Sequence, residues 1–330
     1  MTHERTVQTI LDISWQAALE THRIPLEAPL EAFPARPLGV PAGNRISRPY
    51  ARRMGKVTHR STKPKTYTMK TPITYYGGKQ KMIPHILPLI PAHDLYCEPF
   101  CGGAAIFFAK PQSDIEVIND TNRELINFYW VVQQDFPSLE KLVRSTLHSR
   151  SLFNDAKVVY QNPHMFESVK RAWAVWVMSV MGFSGILDGV FGYDKTKNVT
   201  TKKISKRRET FTEDFSIRLQ NVQIECTDAL RIIRSRDTKH SFFYCDPPYY
   251  NSDCAHYDGY SLEDFENLLK ALSAIDGKFL LSSYPSDILK TYTKRFGWHT
   301  KKIEQKTSVG NVHGKGSKSK TEVLTANYSL

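Results

Sequence analysis

Between Leu95 and Asp120 the chain alternates in a way that few folds accept. Leu95-Tyr96-Cys97-Glu98-Pro99-Phe100 is an apolar run of strand length. Cys101-Gly102-Gly103-Ala104-Ala105 is a turn of small residues, and Ile106 to Ala109 opens a helix. Ile115-Glu116-Val117-Ile118-Asn119-Asp120 is a second strand that ends on a carboxylate. Strand, glycine turn, helix, strand, acid is the order of a nucleotide-binding βαβ unit, which predicts an α/β fold with a mainly parallel sheet. The turn at Gly102 and Gly103 lets backbone approach a ligand closely. Asp120 is placed to accept from ribose hydroxyls. Gly-x-Gly-x-x-Gly spacing is absent, which argues against a dehydrogenase. The glycines and lysines near Gly314 lack the spacing and the preceding strand of a phosphate-binding Walker loop.

A second constellation lies far downstream. Asp246-Pro247-Pro248-Tyr249 follows the apolar run Phe242-Phe243-Tyr244-Cys245 and leads into Tyr250-Asn251-Ser252. A strand thereby delivers a carboxylate, two residues without N–H groups and an aromatic ring to one sheet edge. That set suits a flat base with an exocyclic amine. The Asp246 carboxylate and the Pro247 carbonyl can accept from NH₂, and the ring can stack on the base. The competing reading is a plain surface turn, because Asp-Pro and Pro-Pro are common turn dipeptides.

The remaining pattern divides the chain. Residues 1–70 hold twelve Lys/Arg against five Asp/Glu, with a proline-rich stretch from Glu27 to Pro41. An amphipathic helix is expected from Val7 to His22, and Arg45 to Lys70 reads as a disordered basic run. Either this extension is dispensable, with Met69 serving as an alternative start, or it is a basic arm that grips phosphates. Tyr75-Tyr76-Gly77-Gly78-Lys79 is a glycine turn opening a helix over Lys81–Leu89, and a further helix is expected over Glu124–Gln133. Residues 135–225 break the alternation with helices over Phe136–Leu147 and Phe166–Met181, in which Trp173 and Trp176 read as core. A glycine-spaced stretch from Gly182 to Gly192 follows. Between Lys195 and Arg208 stand seven basic residues and no acid: Lys195, Lys197, Lys202, Lys203, Lys206, Arg207 and Arg208. This segment is expected to be a loop or hairpin that contacts phosphate, with a merely solvated face as the alternative. Alternation resumes at Val222. Strands are expected over Phe242–Cys245, Lys278–Ser283, Trp298–Ile303 and Glu322–Tyr328, with a helix over Leu262–Ala274 and a basic loop over Ser308–Lys320.

Composition narrows the class. A chain of 330 residues suffices for one or two domains, and its formal charge of +12 favours a polyanionic partner, nucleic acid first. The five cysteines, Cys97, Cys101, Cys226, Cys245 and Cys254, are odd in number and irregularly spaced. They imply a reducing cytosol rather than a disulfide framework, and no metal site is expected. No apolar run approaches a membrane span, and the N-terminus lacks a secretory pattern.

Together these residues resemble the S-adenosylmethionine-dependent DNA adenine-N6 methyltransferases of the Dam-like type, over residues 71–330. Tyr75-Tyr76-Gly77-Gly78-Lys79 is similar to the family's aromatic-x-Gly-Gly-Lys element. Glu98-Pro99-Phe100-Cys101-Gly102-Gly103 is similar to its Glu-Pro-Phe-x-Gly turn. Asn119-Asp120-Thr121-Asn122 is similar to its Asp-x-Asn element, and Asp246 to Tyr249 matches its catalytic motif. The resemblance implies a Rossmann-like methyltransferase fold, with residues 71–134 and 226–330 as the catalytic domain and 135–225 as a helical target-recognition insertion. It implies S-adenosylmethionine held by Tyr75, Gly77, Lys79, Glu98, Phe100, Gly102, Asp120 and Asp246. It also implies direct methyl transfer to the N6 amine of a flipped adenine in double-stranded DNA, carried by Asp246, Pro247, Pro248 and Tyr249. The expected setting is the cytoplasm of a bacterial or phage-infected cell, with the enzyme either beside a cognate restriction endonuclease or acting as an orphan marker. Tyr75 stands where the family often has Trp, and Ala104 where it has a second Gly. The alternatives are methylation of cytosine at N4, an RNA substrate, or a catalytically silent DNA-binding module.

Overall fold

The computed structural model describes residues 69–251, 259–306 and 319–330, all within the unit Thr62–Leu330. The expected N-terminal helix, and the basic extension up to residue 68, lie outside the described residues, as does residue span 307–318 of the expected basic loop. The strands are β1 (Leu95–Glu98), β2 (Ile115–Asn119), β3 (Val222–Glu225), β4 (Ser241–Cys245), β5 (Lys278–Ser283), β6 (His299–Lys306) and β7 (Ser319–Ala326). They form one sheet in the order β3-β2-β1-β4-β5-β7-β6. The first five are parallel. β7 runs antiparallel to both β5 and β6.

The central strands β1, β4 and β5 are nearly continuous apolar runs because both faces of the sheet are covered there. Tyr96, Ile118, Phe242, Tyr244 and Leu280 point into one core. Their neighbours Cys97, Val117, Phe243, Cys245 and Leu281 point into the other. The first core is closed by α1 (Ile83–Ile86), α2 (Ala105–Ala109), α3 (Arg123–Gln134), α4 (Phe136–Ser145), α5 (Arg150–Gln161), α6 (Ser168–Met181), α7 (Val199–Glu209) and α8 (Asp214–Leu219). The second is closed by α9 (Ala229–Arg236), α10 (Leu262–Leu272) and α11 (Asp287–Phe296). The helices between β2 and β3 therefore share a core with the sheet: Phe136, Phe153 and Trp176 pack in the same cluster as Phe128. Trp173 and Trp176 are buried, as expected of core residues.

Three local readings change. The single helix expected over Lys81–Leu89 is a 3₁₀ turn at Lys79–Lys81, the short α1 and a second 3₁₀ turn at Leu87–Leu89. Pro84 and Pro88 lack the N–H groups that a continuous helix would need. α5 was not foreseen, although Phe153, Ala156 and Val159 recur on its buried face. Most of the basic segment expected to be a loop or hairpin is the helix α7; only Ile204 of that helix is buried, so it carries almost no apolar periodicity.

A buried ion cluster fixes the insertion to the sheet. Glu116 on β2 accepts from Lys110 at 2.5 Å and from both terminal nitrogens of Arg218 on α8, one of them at 2.9 Å. Arg218 also donates to the Phe107 carbonyl of α2 at 2.8 Å. All three charged side chains are buried. Glu116→Ala would strand two cations in low dielectric, so we expect it to cost about 3–5 kcal/mol, measured by urea unfolding followed by circular dichroism.

Candidate active site

In a parallel sheet every strand ends on the same edge. β1 connects onward to β2 on one side, while its other neighbour β4 leads to β5 on the opposite side. At such a switch point the two connections diverge and leave a crevice. Here the crevice is a cleft of about 1250 Å³. Tyr75, Gly77, Lys79, Glu98, Phe100, Gly102, Asp120, Asp246, Pro247, Pro248 and Tyr249 all line it. The structure thus brings together every predicted catalytic and cofactor-binding residue from four separate stretches of sequence.

Each stretch has a local reason for its shape. Tyr75 to Gly78 is a tight turn closed by the Gly78 N–H on the Tyr75 carbonyl at 3.0 Å. Its third residue, Gly77, sits at φ 72, which L side chains resist. The turn after β1 is pinned from β2: Asn119 donates to the Pro99 carbonyl at 2.9 Å, and the Cys101 N–H donates to the Asn119 carbonyl at 2.8 Å. Asn119 also exchanges two hydrogen bonds with the Thr227 backbone beyond β3. One amide therefore laces three strand ends. Gly102 has φ 46, and a side chain there would meet the Tyr75 ring at 3.1 Å. The aromatic ring and the bare turn are thus complementary surfaces.

Asp120 follows β2. Its Oδ2 accepts from the Gly102 N–H at 3.0 Å and its Oδ1 from the Asn122 N–H at 2.9 Å. Asn122 caps α3, accepting from the N–H groups of Glu124 and Leu125. Burial raises the Asp120 carboxyl above its ordinary value, opposed by these backbone donors. Glu98, at the end of β1, accepts from the Tyr96 hydroxyl at 2.6 Å, and burial pushes it up to about 8.

The Asp246 side chain is only 18% exposed. Its Oδ1 lies 2.8 Å from the Lys79 ammonium and accepts from the Tyr249 hydroxyl at 3.1 Å. Burial pushes its carboxyl up to about 6, against the pull of Lys79; the nearby Glu322 adds to the rise. For Lys79 burial opposes the charge, yet Asp246 and Glu322 together hold its ammonium above the usual range. Lys79 also donates to the Gly77 carbonyl at 3.2 Å, which ties the glycine turn to Asp246. The Tyr249 ring packs against Tyr284, with centroids 4.4 Å apart.

The basic set separates. Lys203 and Arg207, one turn apart on α7, line the cleft; Lys195, Lys197, Lys202, Lys206 and Arg208 do not. Arg207 and Arg208 turn inward. Arg207 donates to the Thr71 carbonyl at 2.7 Å and Arg208 to the Thr146 carbonyl at 3.2 Å. Both guanidinium groups thus hold backbone of the protein itself, which sets them apart from the lysines of the set. Lys195, Lys197, Lys202, Lys203 and Lys206 are exposed.

Tyr284 after β5, in the Ser282-Ser283-Tyr284-Pro285 stretch that reads from sequence either as a base-pocket wall or as a turn, lines the cleft. The cleft also holds residues that were not singled out beforehand: Asp228 and Leu230 after β3, Tyr244 on β4, and Lys320 and Glu322 on β7. Asp228 had a local signal, since it caps α9 at a third strand-to-helix corner and accepts from Arg231 N–H. Glu322 had none, because its approach depends on β7 running antiparallel.

A Rossmann-like sheet with a cleft at its switch point, an acid after β2 and Asp-Pro-Pro-Tyr after β4 defines a methyltransferase-type site. The chain belongs to the D12 class N6 adenine-specific DNA methyltransferase family, whose model matches residues 75–307. It is 28% identical to the type II methyltransferase M1.LlaDCHI of Lactococcus lactis subsp. cremoris, across 76% of this chain and 93% of that protein. It is 24% identical to the DNA adenine methylase of Escherichia coli, across 78% of this chain and 94% of that protein. The DNA adenine methylase of Serratia marcescens is 21% identical across 78% and 97%. The protein is an S-adenosylmethionine-dependent enzyme that methylates the N6 amine of adenine in DNA. The residues present fit that cofactor: an acid beyond β2, a bare glycine turn and an aromatic wall share one cleft. Among the described residues no helix is long and apolar enough to cross a membrane.

Ala104, which replaces the family's second glycine, adopts a left-handed backbone at φ 51 and ψ 41 before α2. A Cβ is strained there, by about 1–2 kcal/mol. Ala104→Gly is expected to raise stability by about 1 kcal/mol, read as a higher melting temperature.

Proposed function

We propose that Asp246, Pro247 and Tyr249 act directly on the amine of an adenine turned out of duplex DNA. One observation carries this reading. Lys79 and Tyr249 both bind Asp246 through its Oδ1, Oδ2 receives no bond from either, and the residue lines the cleft. Oδ2 accepts one N6 hydrogen and the Pro247 carbonyl accepts the other. The nitrogen lone pair, ordinarily delocalised into the ring, is thereby drawn out as a nucleophile. The carboxylate then stabilises the positive charge that develops on that nitrogen. Tyr249 and Tyr284 form an aromatic wall for the extruded base, and Pro248 fixes the loop between them and Asp246.

When bound, S-adenosylmethionine supplies an electrophilic methyl group on its sulfonium. Asp120 would accept from its ribose hydroxyls. Glu98, Phe100, Gly77, Gly102 and Tyr75 would form the floor and wall under the rest. Lys79, expected from resemblance to meet the cofactor, serves Asp246 in this reading, because its ammonium lies 2.8 Å from that carboxylate. The helical segment within residues 135–225 reads the target, with exposed lysines of α7 and the turn before it on the phosphates. Function in the cytoplasm of a bacterial or phage-infected cell, beside a cognate restriction endonuclease, is the setting we propose. The name of the Lactococcus relative, a type II methyltransferase, supports it.

Nucleoside mass spectrometry after incubation with S-adenosylmethionine and methylation-free duplex DNA should give N6-methyladenine from the wild type. Asp246→Ala should give none while still binding cofactor by calorimetry. A well-folded Asp246→Ala protein with ordinary turnover would remove Asp246 from this role. The active form is the carboxylate, and its pKa stands above the ordinary value at about 6. Acidification through that value protonates Oδ2, so kcat/KM should fall below about pH 6, roughly tenfold per unit.

Neutralising Lys195, Lys197, Lys202, Lys203 and Lys206 together spares the two arginines that hold backbone. It should weaken DNA binding and flatten the salt dependence by about 0.9 in slope per lost phosphate contact. An unchanged slope in a fluorescence-anisotropy titration across salt concentrations would count against these lysines.

A further inference from the structure

The Lys79 ammonium serves two carboxylates. Glu322, near the start of β7, places Oε1 3.7 Å from Lys79 Nζ. The same oxygen lies 3.2 Å from the Tyr249 hydroxyl and accepts from the Ser282 hydroxyl of β5. Tyr249 in turn reaches Asp246 Oδ1 and Ser282 Oγ, each at 3.1 Å. Lys79 and Tyr249 therefore each touch both acids. Glu322 is 7% exposed, so its charge acts in a poorly screened region.

Two consequences follow from counting charges and protons. An Asp246–Lys79 pair by itself would direct the carboxylate's electron density at the ammonium and make it a weak acceptor for an amine. Glu322 shares that ammonium, so Lys79 is divided between two carboxylates and is not spent on Asp246 alone. Tyr249 has a single phenolic proton and cannot donate to both acids at once. Ser282 gives its own proton to Glu322, which leaves the phenolic proton for Asp246. The antiparallel direction of β7 makes this possible, because Ser282 and Ser283 pair with Leu324 and Val323, just beyond Glu322.

We propose that Glu322 is a positioning residue for methyl transfer: through Lys79, Tyr249 and Ser282 it keeps Asp246 oriented and basic beside a cation. This rests on the reading of Asp246 as the acceptor for the adenine amine. The charged and titratable groups facing Asp246 are Lys79 from the first turn, Tyr244 and Glu98 from β4 and β1, Tyr249 from its own loop and Glu322 from β7. Of these acids only Glu322 shares both Lys79 and Tyr249 with it.

The test is the pH profile of kcat/KM for duplex DNA at saturating S-adenosylmethionine, with cofactor affinity and melting temperature measured alongside. Glu322→Gln keeps the shape and removes the charge. Its acid limb should move to lower pH and kcat should fall about tenfold, with cofactor affinity within twofold of wild type. Glu322→Asp should return the limb to its wild-type position. An unshifted limb with kcat within twofold in a folded Glu322→Gln protein would overturn the proposal. Ser282→Ala supplies an independent arm if Glu322→Gln fails to fold. Deprived of the serine proton, Glu322 competes for the phenolic one, so the limb should move to higher pH; no movement there also overturns the proposal. Asp246→Asn separates the two levels. An inactive Asp246→Asn beside an ordinary Glu322→Gln sinks this inference alone, whereas an active Asp246→Asn sinks the reading beneath it.

Discussion

The parallel pairing of β1 with β4 is the constraint on which the rest depends. It sets Leu95 opposite Ser241 and Cys97 opposite Phe243, so Glu98 and, two residues further along its own strand, Asp246 arrive at the same edge. The β2 strand adds Asp120 to the same edge by running the same way. The β7 strand adds Glu322 by running the other way, so that its beginning rather than its end arrives there. The chemistry of the site is thus a property of strand direction. Reversing one strand would carry its acid to the far edge of the sheet, away from the cleft.

The insertion is held to this frame from two sides. At one end the buried cluster of Glu116, Lys110 and Arg218 ties α8 to β2 and α2. At the other, Arg207 of α7 reaches the Thr71 carbonyl and the Thr74 hydroxyl, in the segment that leads into the Tyr75 turn. Gly185 packs closely on Thr74 as well, where an added side chain would meet the threonine methyl at 2.8 Å. The helix that carries the exposed lysines is therefore joined through packed backbone to the turn that carries Lys79. A duplex bound along α7 would be registered against the cleft by covalent neighbours of the site rather than by a separate body.

Much of what was written locally in the sequence was legible, although the periodic face of α5 and the cap at Asp228 were passed over. The strand, glycine turn, strand and acid of Leu95–Asp120 form a contiguous pattern, and Asp-Pro-Pro-Tyr is four adjacent residues on the end of an apolar strand. The eight residues named from those patterns, and Tyr75, Gly77 and Lys79 from the glycine turn before them, line one cleft. The misreadings have a common physical cause, which is that periodicity reports burial and not backbone conformation. The α7 helix buries one side chain and so looks like a loop, although its lysines and arginines are good helix formers. Lys79 was placed from its neighbours in sequence, yet its charge answers to carboxylates far along the chain. Glu322 was invisible because no local pattern tells which way the final strand runs.

The three charges at the cleft floor also explain why they stand together. Two carboxylates that share a phenol in a buried site would repel, and one would take up a proton. A buried lysine without partners would lose its own proton for the same reason. Lys79 between Asp246 and Glu322 eases both conflicts: the cation pulls the Asp246 carboxyl down against its burial, and the two acids keep the cation charged against its own. Such a set is costly to desolvate, and a hydrophobic replacement of similar shape would pack as well. In the proposed mechanism both the negative charge of Asp246 and its Oδ2 are used. A base whose amine must become cationic in the transition state, and which has no charge before it, is the substrate that uses both.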